Sequence, residues 1–266
     1  MASTDILLER EGRVGVIKFN RPERLNALSY DMLDLLGEHI RTVQSDDEIR
    51  ALVLTGEGRA FCAGTDLQEL QSGERASNGS SSTVVRAKDA TEPGPWSFTN
   101  LRVPVVAAIN GAAVGLGAEM TAMCDRRVAS EQARVGWVFP HRGLVPDAGV
   151  GTWLLPRIVG VSRAARILFS GEIMDASTLL ELGVVEKVVE PENLMDEAMA
   201  VAASMSQGSP LAIGEIKRLL YQGLTRDVAD HLSDNAETLG RMFESADHKE
   251  GVSSFLEKRQ PEWVGR

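Results

Sequence analysis

The sequence predicts an α/β fold: a spiral of strand–strand–helix turns followed by a helical C-terminal region. Buried-strand patterns alternate with amphipathic helical patterns up to Val189, and only helical patterns follow. The strand–strand–helix unit recurs loosely, which favours a spiral over an open nucleotide-binding sheet. The change to helices places a boundary near residue 206, between a core of residues 1–205 and a helical region of residues 206–266.

The N-terminal elements are predicted to be a hairpin, a helix and a buried strand. Residues 6–9 and 14–19 are strand segments on either side of Gly12. Ser29 can cap an amphipathic helix over residues 29–44. An uncharged strand over residues 51–55 then leads into the first of two glycine-rich turns.

The second glycine-rich turn follows a β-branched, alanine-rich strand predicted over residues 103–109. Small residues leave a backbone N–H group accessible in each turn, within Ala63-Gly64-Thr65 in the first and within Gly115-Leu116-Gly117 in the second. Convergent N–H groups of this kind can bind an oxygen atom that becomes negatively charged during a reaction. The glycine pattern alone also fits two ordinary tight turns.

Two carboxylates near the second turn are candidate proton-transfer groups. Glu119 lies just inside the helix that follows the turn, and Asp147 lies in a later loop. Each also has a structural interpretation, because a carboxylate is favourable near a helix N-terminus and aspartate is common in turns. His141 is interpreted as structural or solvated, and no Ser–His–Asp arrangement is recognisable.

The remaining pattern consists of short strands, helices and one long loop. Strands are predicted over residues 126–129, 134–139 and 184–189, and helices over residues 152–158, 163–169, 176–182, 194–205, 210–222, 227–245 and 249–258. Residues 71–100, between the two glycine-rich turns, are predicted to form a loop with a short helix near residues 84–90. Such a loop is either a functional lid or a disordered insertion.

The composition is ordinary for a globular protein, with 43% hydrophobic and 25% charged residues. The net charge of −10 argues against non-specific binding to nucleic acid or to an anionic membrane. Cys62 and Cys124 have no metal-ligand spacing, so no metal is expected and both are predicted to be reduced, buried thiols. No signal-peptide or membrane-spanning pattern is recognisable, which predicts a cytoplasmic protein.

Several motifs, taken in order over nearly the whole chain, resemble the crotonase superfamily, which has the enoyl-CoA hydratase/isomerase fold. Each motif is weak alone, but their order is strongly specific. They are Asn20-Arg21-Pro22 with Leu25-Asn26-Ala27-Leu28, residues 61–67, residues 104–119 with Cys124-Asp125, residues 154–160, residues 182–185, and residues 247–251 with 255–259.

The resemblance implies a coenzyme A thioester as substrate, no separate cofactor, and a C-terminal helical region that forms homotrimers, commonly paired into hexamers as dimers of trimers. It implies that the backbone N–H groups of Thr65 and Leu116 hold the thioester oxygen. Trp137 and Phe139 are expected to line the acyl pocket. The positions that match CoA-binding residues are Arg24, Leu25, Ala63, Asp66, Phe255 and Lys258, of which the last two serve a neighbouring subunit.

One position departs from the hydratases of this family, which have a second glutamate twenty residues after the first. Counted from Glu119, that position is Phe139, which cannot polarise a water molecule. Asp147, twenty-eight residues after Glu119, matches an aspartate of the dienoyl-CoA isomerase branch and the nucleophile of the 4-chlorobenzoyl-CoA dehalogenase branch. The dehalogenase branch also uses a histidine before the second turn, and this chain has none between Asp66 and Asn110. The isomerase branch normally has acids at all three places, so that match is partial.

The sequence therefore predicts acyl-CoA enolate chemistry in which Glu119 and Asp147 move protons along the acyl chain. Double-bond isomerisation is favoured over hydration because Phe139 replaces the second glutamate. Two alternatives stay open: an enoyl-CoA hydratase of fatty-acid β-oxidation, and a non-catalytic acyl-CoA-binding protein that kept the fold.

Overall fold

The computed structural model describes residues 4–66 and 97–266. It confirms the predicted hairpin, in which β1 (Ile6–Glu11) pairs antiparallel with β2 (Val14–Phe19). Helix α1 (Tyr30–Ser45) begins after Ser29, whose hydroxyl oxygen accepts a hydrogen bond from the N–H of Met32 at 3.2 Å. The short helix predicted near residues 84–90 lies outside the described residues.

Six strands form a large sheet in the order β1-β2-β3-β5-β7-β10. From β2 onward, neighbouring strands in this sheet run parallel. The strands not yet given are β3 (Ala51–Gly56), β5 (Val105–Ile109), β7 (Arg126–Ser130) and β10 (Lys187–Val189).

A second, smaller sheet has the order β4-β6-β8-β9. Its strands are β4 (Ala60–Cys62), β6 (Ala112–Val114), β8 (Arg134–Gly136) and β9 (Met174–Asp175). Successive strands alternate between the two sheets, with the first strand of each pair in the large sheet and the second in the small sheet. The pairs are β3 and β4, β5 and β6, and β7 and β8. The chain therefore winds as the predicted spiral, although β4 and β6 lie within stretches that the sequence predicted to be only turns.

The helices predicted over residues 176–182 and 194–205 have the predicted ends, and most of the others differ at their ends. The helix predicted over residues 152–158 is divided in two at Leu154, and a short helix lies at residues 97–100, which were predicted to be loop. The helices are α2 (Ser97–Asn100), α3 (Leu116–Met123), α4 (Val150–Trp153), α5 (Leu155–Val159), α6 (Val161–Ser170), α7 (Ala176–Leu182), α8 (Leu194–Met205), α9 (Pro210–Gly223), α10 (Val228–Glu244) and α11 (Ala246–Glu257).

Three strand predictions were too long, and the one over residues 103–109 begins at Val105. The strand predicted over residues 134–139 ends at Gly136, and Phe139–Arg142 is a 3₁₀ helix because Pro140 fits the first turn of a helix and has no N–H for a sheet. The strand predicted over residues 184–189 begins only at Lys187. Val184 and Val185 instead donate their N–H groups to the carbonyl of Leu179.

The two faces of the large sheet pack against different layers, as the alternation of side chains along a strand requires. On one face, Val14, Val53 and Val106 pack with Leu194 and other buried residues of α8. The opposite face joins the main core, which contains residues of both sheets and of α1 and α3. The glycine-rich turns lie at the ends of strands that are fixed by this core.

Helix α9 is attached to the core by buried polar contacts. Lys217 donates to the Asp125 carboxylate at 2.7 Å and to the carbonyl of Val103 at 2.9 Å. Tyr221 donates its hydroxyl to the other oxygen of Asp125 at 2.7 Å.

The division of the chain at residue 205 stays a prediction. None of the helices within the described ranges is long and apolar enough to cross a membrane.

Candidate active site

Glycine residues allow the two predicted turns to lie in contact. Strand β4, which leads into the first turn, pairs parallel with β6, which leads into the second. A Cβ atom on Gly117 would lie 2.1 Å from the carbonyl oxygen of Cys62. A Cβ atom on Gly64 would lie 2.8 Å from the carbonyl oxygen of Val114 and 3.5 Å from the nitrogen of Leu116. Only glycine permits this approach, so the two backbones meet where the sequence placed the candidate donors.

The secondary structure around the two turns does not use the backbone N–H group of either predicted donor, Thr65 or Leu116. Thr65 forms a parallel bridge with Leu28, and its two bonds use the carbonyl of Gly64 and the N–H of Asp66. The bridge therefore does not use the N–H of Thr65. Leu116 is the first residue of α3, and a first-turn N–H has no acceptor within its own helix. Whether both N–H groups hold a thioester oxygen stays a prediction.

Glu119 lies on the first turn of α3 and is completely buried. Its Oε1 atom accepts hydrogen bonds from the indole Nε1 of Trp137 at 2.7 Å and from the N–H of Gly151 at 2.6 Å. Its Oε2 atom accepts from the N–H of Val150 at 2.9 Å. The first residues of α4 and one indole group therefore hold the carboxylate.

Burial raises the pKa of Glu119 from its ordinary value to about 7. The negative charge of Asp147 raises this pKa further, and the three hydrogen-bond donors lower it, the indole of Trp137 most among them. Because burial outweighs the donors, the group can both accept and release a proton near neutral pH. This is the property that a general acid–base residue requires.

Asp147 lies in the loop before α4 and is exposed. One of its carboxylate oxygens accepts a hydrogen bond from the N–H of Ala148 at 2.8 Å. Its charge raises the pKa of Glu119 and also that of the Cys62 thiol, which reaches about 12 mainly through burial. The structure thus brings Asp147 near both Glu119 and the strand that leads into the first turn.

Phe139 lies beside the second turn and is 6% exposed. A Cβ atom on Gly115, which has a φ angle of +57°, would lie 4.0 Å from Cζ of this ring. His141, two residues later, contacts the end of α6 instead, since a Cβ atom on Gly171 would lie 3.0 Å from its ring. An aromatic ring, and not the side chain of His141, therefore lies against the second turn.

The family follows from comparison of the whole chain. A family model described as enoyl-CoA hydratase/isomerase matches residues 9–266. The chain belongs to this family. It is the crotonase superfamily that the ordered motifs predicted.

Similar proteins whose names give different activities match this chain over nearly its whole length. The short-chain-enoyl-CoA hydratase of Clostridium acetobutylicum is 34% identical over 266 residues, which cover 98% of each chain. The 1,2-epoxyphenylacetyl-CoA isomerase of Escherichia coli K12 is 35% identical over 275 residues, again 98% of each chain. The crystal structure of an enoyl-CoA hydratase from Bacillus anthracis matches with a TM-score of 0.89 and 31% identity, over 99% of this chain and 100% of that one.

Membership of the enoyl-CoA hydratase/isomerase family makes this protein an enzyme that acts on acyl-CoA. Hydratase names are more common among the similar curated proteins than isomerase names. Within residues 4–66 and 97–266, no three His, Cys, Asp or Glu side chains are grouped so that they could hold a metal ion.

Four of the predicted CoA-binding positions lie together. The N–H of Ala63 donates to the carbonyl of Leu25 at 3.0 Å, which joins the first turn to the segment that contains exposed Arg24. Asp66 is buried and paired with Arg21 at 3.2 Å. Their role in binding CoA stays a prediction.

Phe255 and Lys258 lie elsewhere in the fold. Helix α11 packs mainly against α10, and Phe255, which is 83% exposed, lines a groove between residues of the C-terminal helices. Lys258 follows the helix with a φ angle of +54°. Their role in binding the CoA of a neighbouring subunit stays a prediction.

Three residues have contacts at the site that were not assigned from the sequence. Asn26 is completely buried with a φ angle of +57°, and its side chain donates to the carbonyls of Glu57 and Ala60, which fixes the approach to the first turn. Gly151 and the indole of Trp137 hold Glu119. Asn26 could have been identified from the sequence, because asparagine tolerates the left-handed backbone region. The donors to Glu119 could not, because they are distant from it in the sequence. The predicted place of Trp137 in an acyl pocket stays a prediction.

Proposed function

We propose that this protein isomerises double bonds of acyl-CoA thioesters through a thioester enolate, in preference to adding water. The observation that carries the proposal is that Asp147 lies near Glu119 while Phe139 occupies the position of the second hydratase glutamate. The buried carboxylate and the nearby exposed one are suited to moving a proton between two carbon atoms.

The oxygen of the thioester is held in this proposal by the N–H groups of Thr65 and Leu116. When a C–H bond next to the carbonyl breaks, its electron pair moves toward this oxygen, and two donors at the site of the new charge favour that step. Each donor contributes on the order of 3 kcal/mol to the transition state. The contact between Gly64 and the second turn supports this arrangement, because it brings the two backbones together.

Glu119, in its ionised form, takes a proton from one carbon of the acyl chain, and Asp147, which is protonated for this step, delivers one to a different carbon. A proton that passes from Glu119 to the exposed Asp147 through solvent then restores both groups. The negative enolate then reforms the thioester carbonyl, and no water is consumed. The pKa of about 7 supports the first role, since an appreciable fraction of Glu119 is ionised at neutral pH. Phe139 offers no polar atom to hold the water that hydration would require.

Hydration is the second candidate, because hydratase names are common among the similar proteins. The test compares isomerisation of a 3-enoyl-CoA with hydration of crotonyl-CoA by the purified protein, its Asp147→Asn variant and its Glu119→Gln variant. We expect isomerisation to dominate and to fall at least about 100-fold in each variant. Efficient hydration that Asp147→Asn does not change would contradict the proposal. Binding of CoA thioesters with no turnover, unchanged by Glu119→Gln, would indicate a non-catalytic protein.

We also propose a homotrimer, or a hexamer built as a dimer of trimers, in which α9 to α11 form the contact. Support comes from large apolar side chains exposed on these helices, including Ile216, Leu232, Phe243 and Leu256. Such a surface is typical of an interface between subunits. Sedimentation analysis tests this proposal, and a monomer at micromolar concentration would contradict it.

A further inference from the structure

Trp137 is buried directly behind the carboxylate that the proposed reaction uses. It follows β8, is 0% exposed, and donates its indole N–H to Oε1 of Glu119 at 2.7 Å. The short distance is typical of a hydrogen bond to a charged acceptor. A Trp side chain at a fully buried position requires such a partner for its one polar atom.

The packing around this bond is specific. A Cβ atom on Gly151 would lie 2.8 Å from Cδ1 of Trp137 and 2.9 Å from its Nε1. The same Cβ atom would lie 2.7 Å from Oε1 of Glu119. The absence of a side chain at Gly151 therefore allows the indole, the carboxylate and the start of α4 to meet.

The donors are unequally divided between the two carboxylate oxygens. Oε1 receives the indole N–H and the N–H of Gly151, whereas the hydrogen bond described for Oε2 comes from the N–H of Val150. A carboxylate oxygen has about two lone-pair positions. Two short bonds thus occupy Oε1, and Oε2 has the capacity to exchange a proton.

We propose that Trp137 is a positioning residue that fixes Oε1 of Glu119, so that proton transfer takes place through Oε2. The indole also favours the ionised carboxylate, because an N–H donor stabilises negative charge. This inference deepens the proposed function and rests on it for its kinetic test. Its structural test does not require turnover.

Within residues 4–66 and 97–266, few other ionisable groups face Glu119. Among the elements that the structure describes, those with the most extensive packing against α3 are β4, β6 and α4. Of these, β4 carries Cys62, whose thiol is neutral at pH 7 because burial raises its pKa to about 12, and β6 and α4 carry no ionisable side chain. Asp147, in the loop before α4, is the described charged group whose field reaches Glu119. A titration seen at Trp137 can be assigned by comparing Glu119 and Asp147 variants.

The structural test is nuclear magnetic resonance of the tryptophan indole N–H groups in ¹⁵N-labelled protein. The Trp137 signal is identified by its loss in Trp137→Phe, and we expect it to lie downfield and to shift with a midpoint near pH 7. The shift should disappear in Glu119→Gln and persist in Asp147→Asn. A Trp137 signal that does not titrate would overturn the proposal, whatever the activity.

The kinetic test is the pH profile of isomerisation in Trp137→Phe, which keeps an aromatic ring and removes the donor. We expect the acidic limb to move up by about one pH unit, with kcat reduced at least about 5-fold at pH 7 and KM changed less than about 2-fold. Trp153→Phe is the control, since Trp153 is 36% exposed on α4 and stacks with Arg157. A reduced kcat with an unmoved limb would overturn the proposal. Absence of isomerisation in the unmodified protein, together with a titrating indole signal, would contradict the proposed function alone.

Discussion

The N–H of Gly151 donates to Oε1 of Glu119 at 2.6 Å, and a Cβ atom on Gly151 would lie 2.7 Å from that same oxygen. The contact is therefore both a hydrogen bond and a steric limit. We predict that Gly151→Ala displaces the carboxylate and lowers kcat about 100-fold, because small displacements of catalytic groups have effects of that size. Overpacking should also reduce the free energy of unfolding by about 1–3 kcal/mol. Steady-state kinetics and urea unfolding measure the two effects.

Gly240 offers a matched control for this change. It lies within α10, and a Cβ atom there meets nothing within 4 Å. Gly240→Ala should keep full activity and increase the free energy of unfolding by about 0.5–1 kcal/mol, because alanine restricts the unfolded chain. Equal activity in both variants would show that the Gly151 contact does not position Glu119.

The contact between the two turns gives a second prediction. Gly64 has a φ angle of +97°, and a Cβ atom there would lie 2.8 Å from the carbonyl oxygen of Val114. Gly64→Ala should therefore separate the turns and lower kcat about 100-fold or more, as expected when an oxyanion donor is lost. In Gly12→Ala the φ angle is also positive, at +59°, but the space is empty. That control should lose about 1 kcal/mol of stability and no activity; a similar loss of activity in both variants would point to general destabilisation.

The pKa of Glu119 gives a prediction about stability. Because the folded-state pKa is about 7 against an ordinary value of 4.5, the native state binds more protons than the unfolded state between these pH values. The free energy of unfolding should therefore fall as pH rises through this interval, by about 3 kcal/mol in total. Urea unfolding at pH 4 and at pH 8 measures the change in the free energy of unfolding with pH, and this change is compared between the unmodified protein and Glu119→Gln. Parallel pH dependences in the two proteins would contradict a raised pKa.

The attachment of α9 gives a fourth prediction. Lys217 is buried and paired with Asp125, so Lys217→Met leaves a partly buried carboxylate without its cation. We expect the free energy of unfolding to fall by about 3 kcal/mol. Arg241→Met removes the more exposed ion pairs of Arg241 with Glu215 and Glu237 and should cost less than about 1 kcal/mol. Comparable losses in the two variants would mean that burial does not strengthen the Lys217 contact.

The sequence allowed accurate prediction of elements whose local pattern is strong. The Ser29 cap and the apolar periodicity placed α1 within one residue at each end. The glycine spacing placed both turns, and the ordered motifs identified the family. Short elements were harder, because β6 has only three residues and is stabilised by pairing with β4 and β8 rather than by its own pattern.

The surroundings of Glu119 could not be predicted from the sequence. Trp137 and Gly151 are eighteen and thirty-two residues from Glu119, and only the folded backbone brings them together. The raised pKa has the same origin, because its main cause is burial by tertiary packing. Glu119 was a candidate from its position in the sequence, but the partners that determine its pKa are visible only in the fold.

The most direct test of the proposed chemistry is incubation of crotonyl-CoA with the protein in D₂O, followed by nuclear magnetic resonance of the acyl chain. Proton removal by an isomerase replaces hydrogen with deuterium at C4 without forming a hydroxyacyl product. We predict C4 deuteration that is lost in both Glu119→Gln and Asp147→Asn. Accumulation of 3-hydroxybutyryl-CoA without C4 deuteration, at a rate unchanged by Asp147→Asn, would contradict the account.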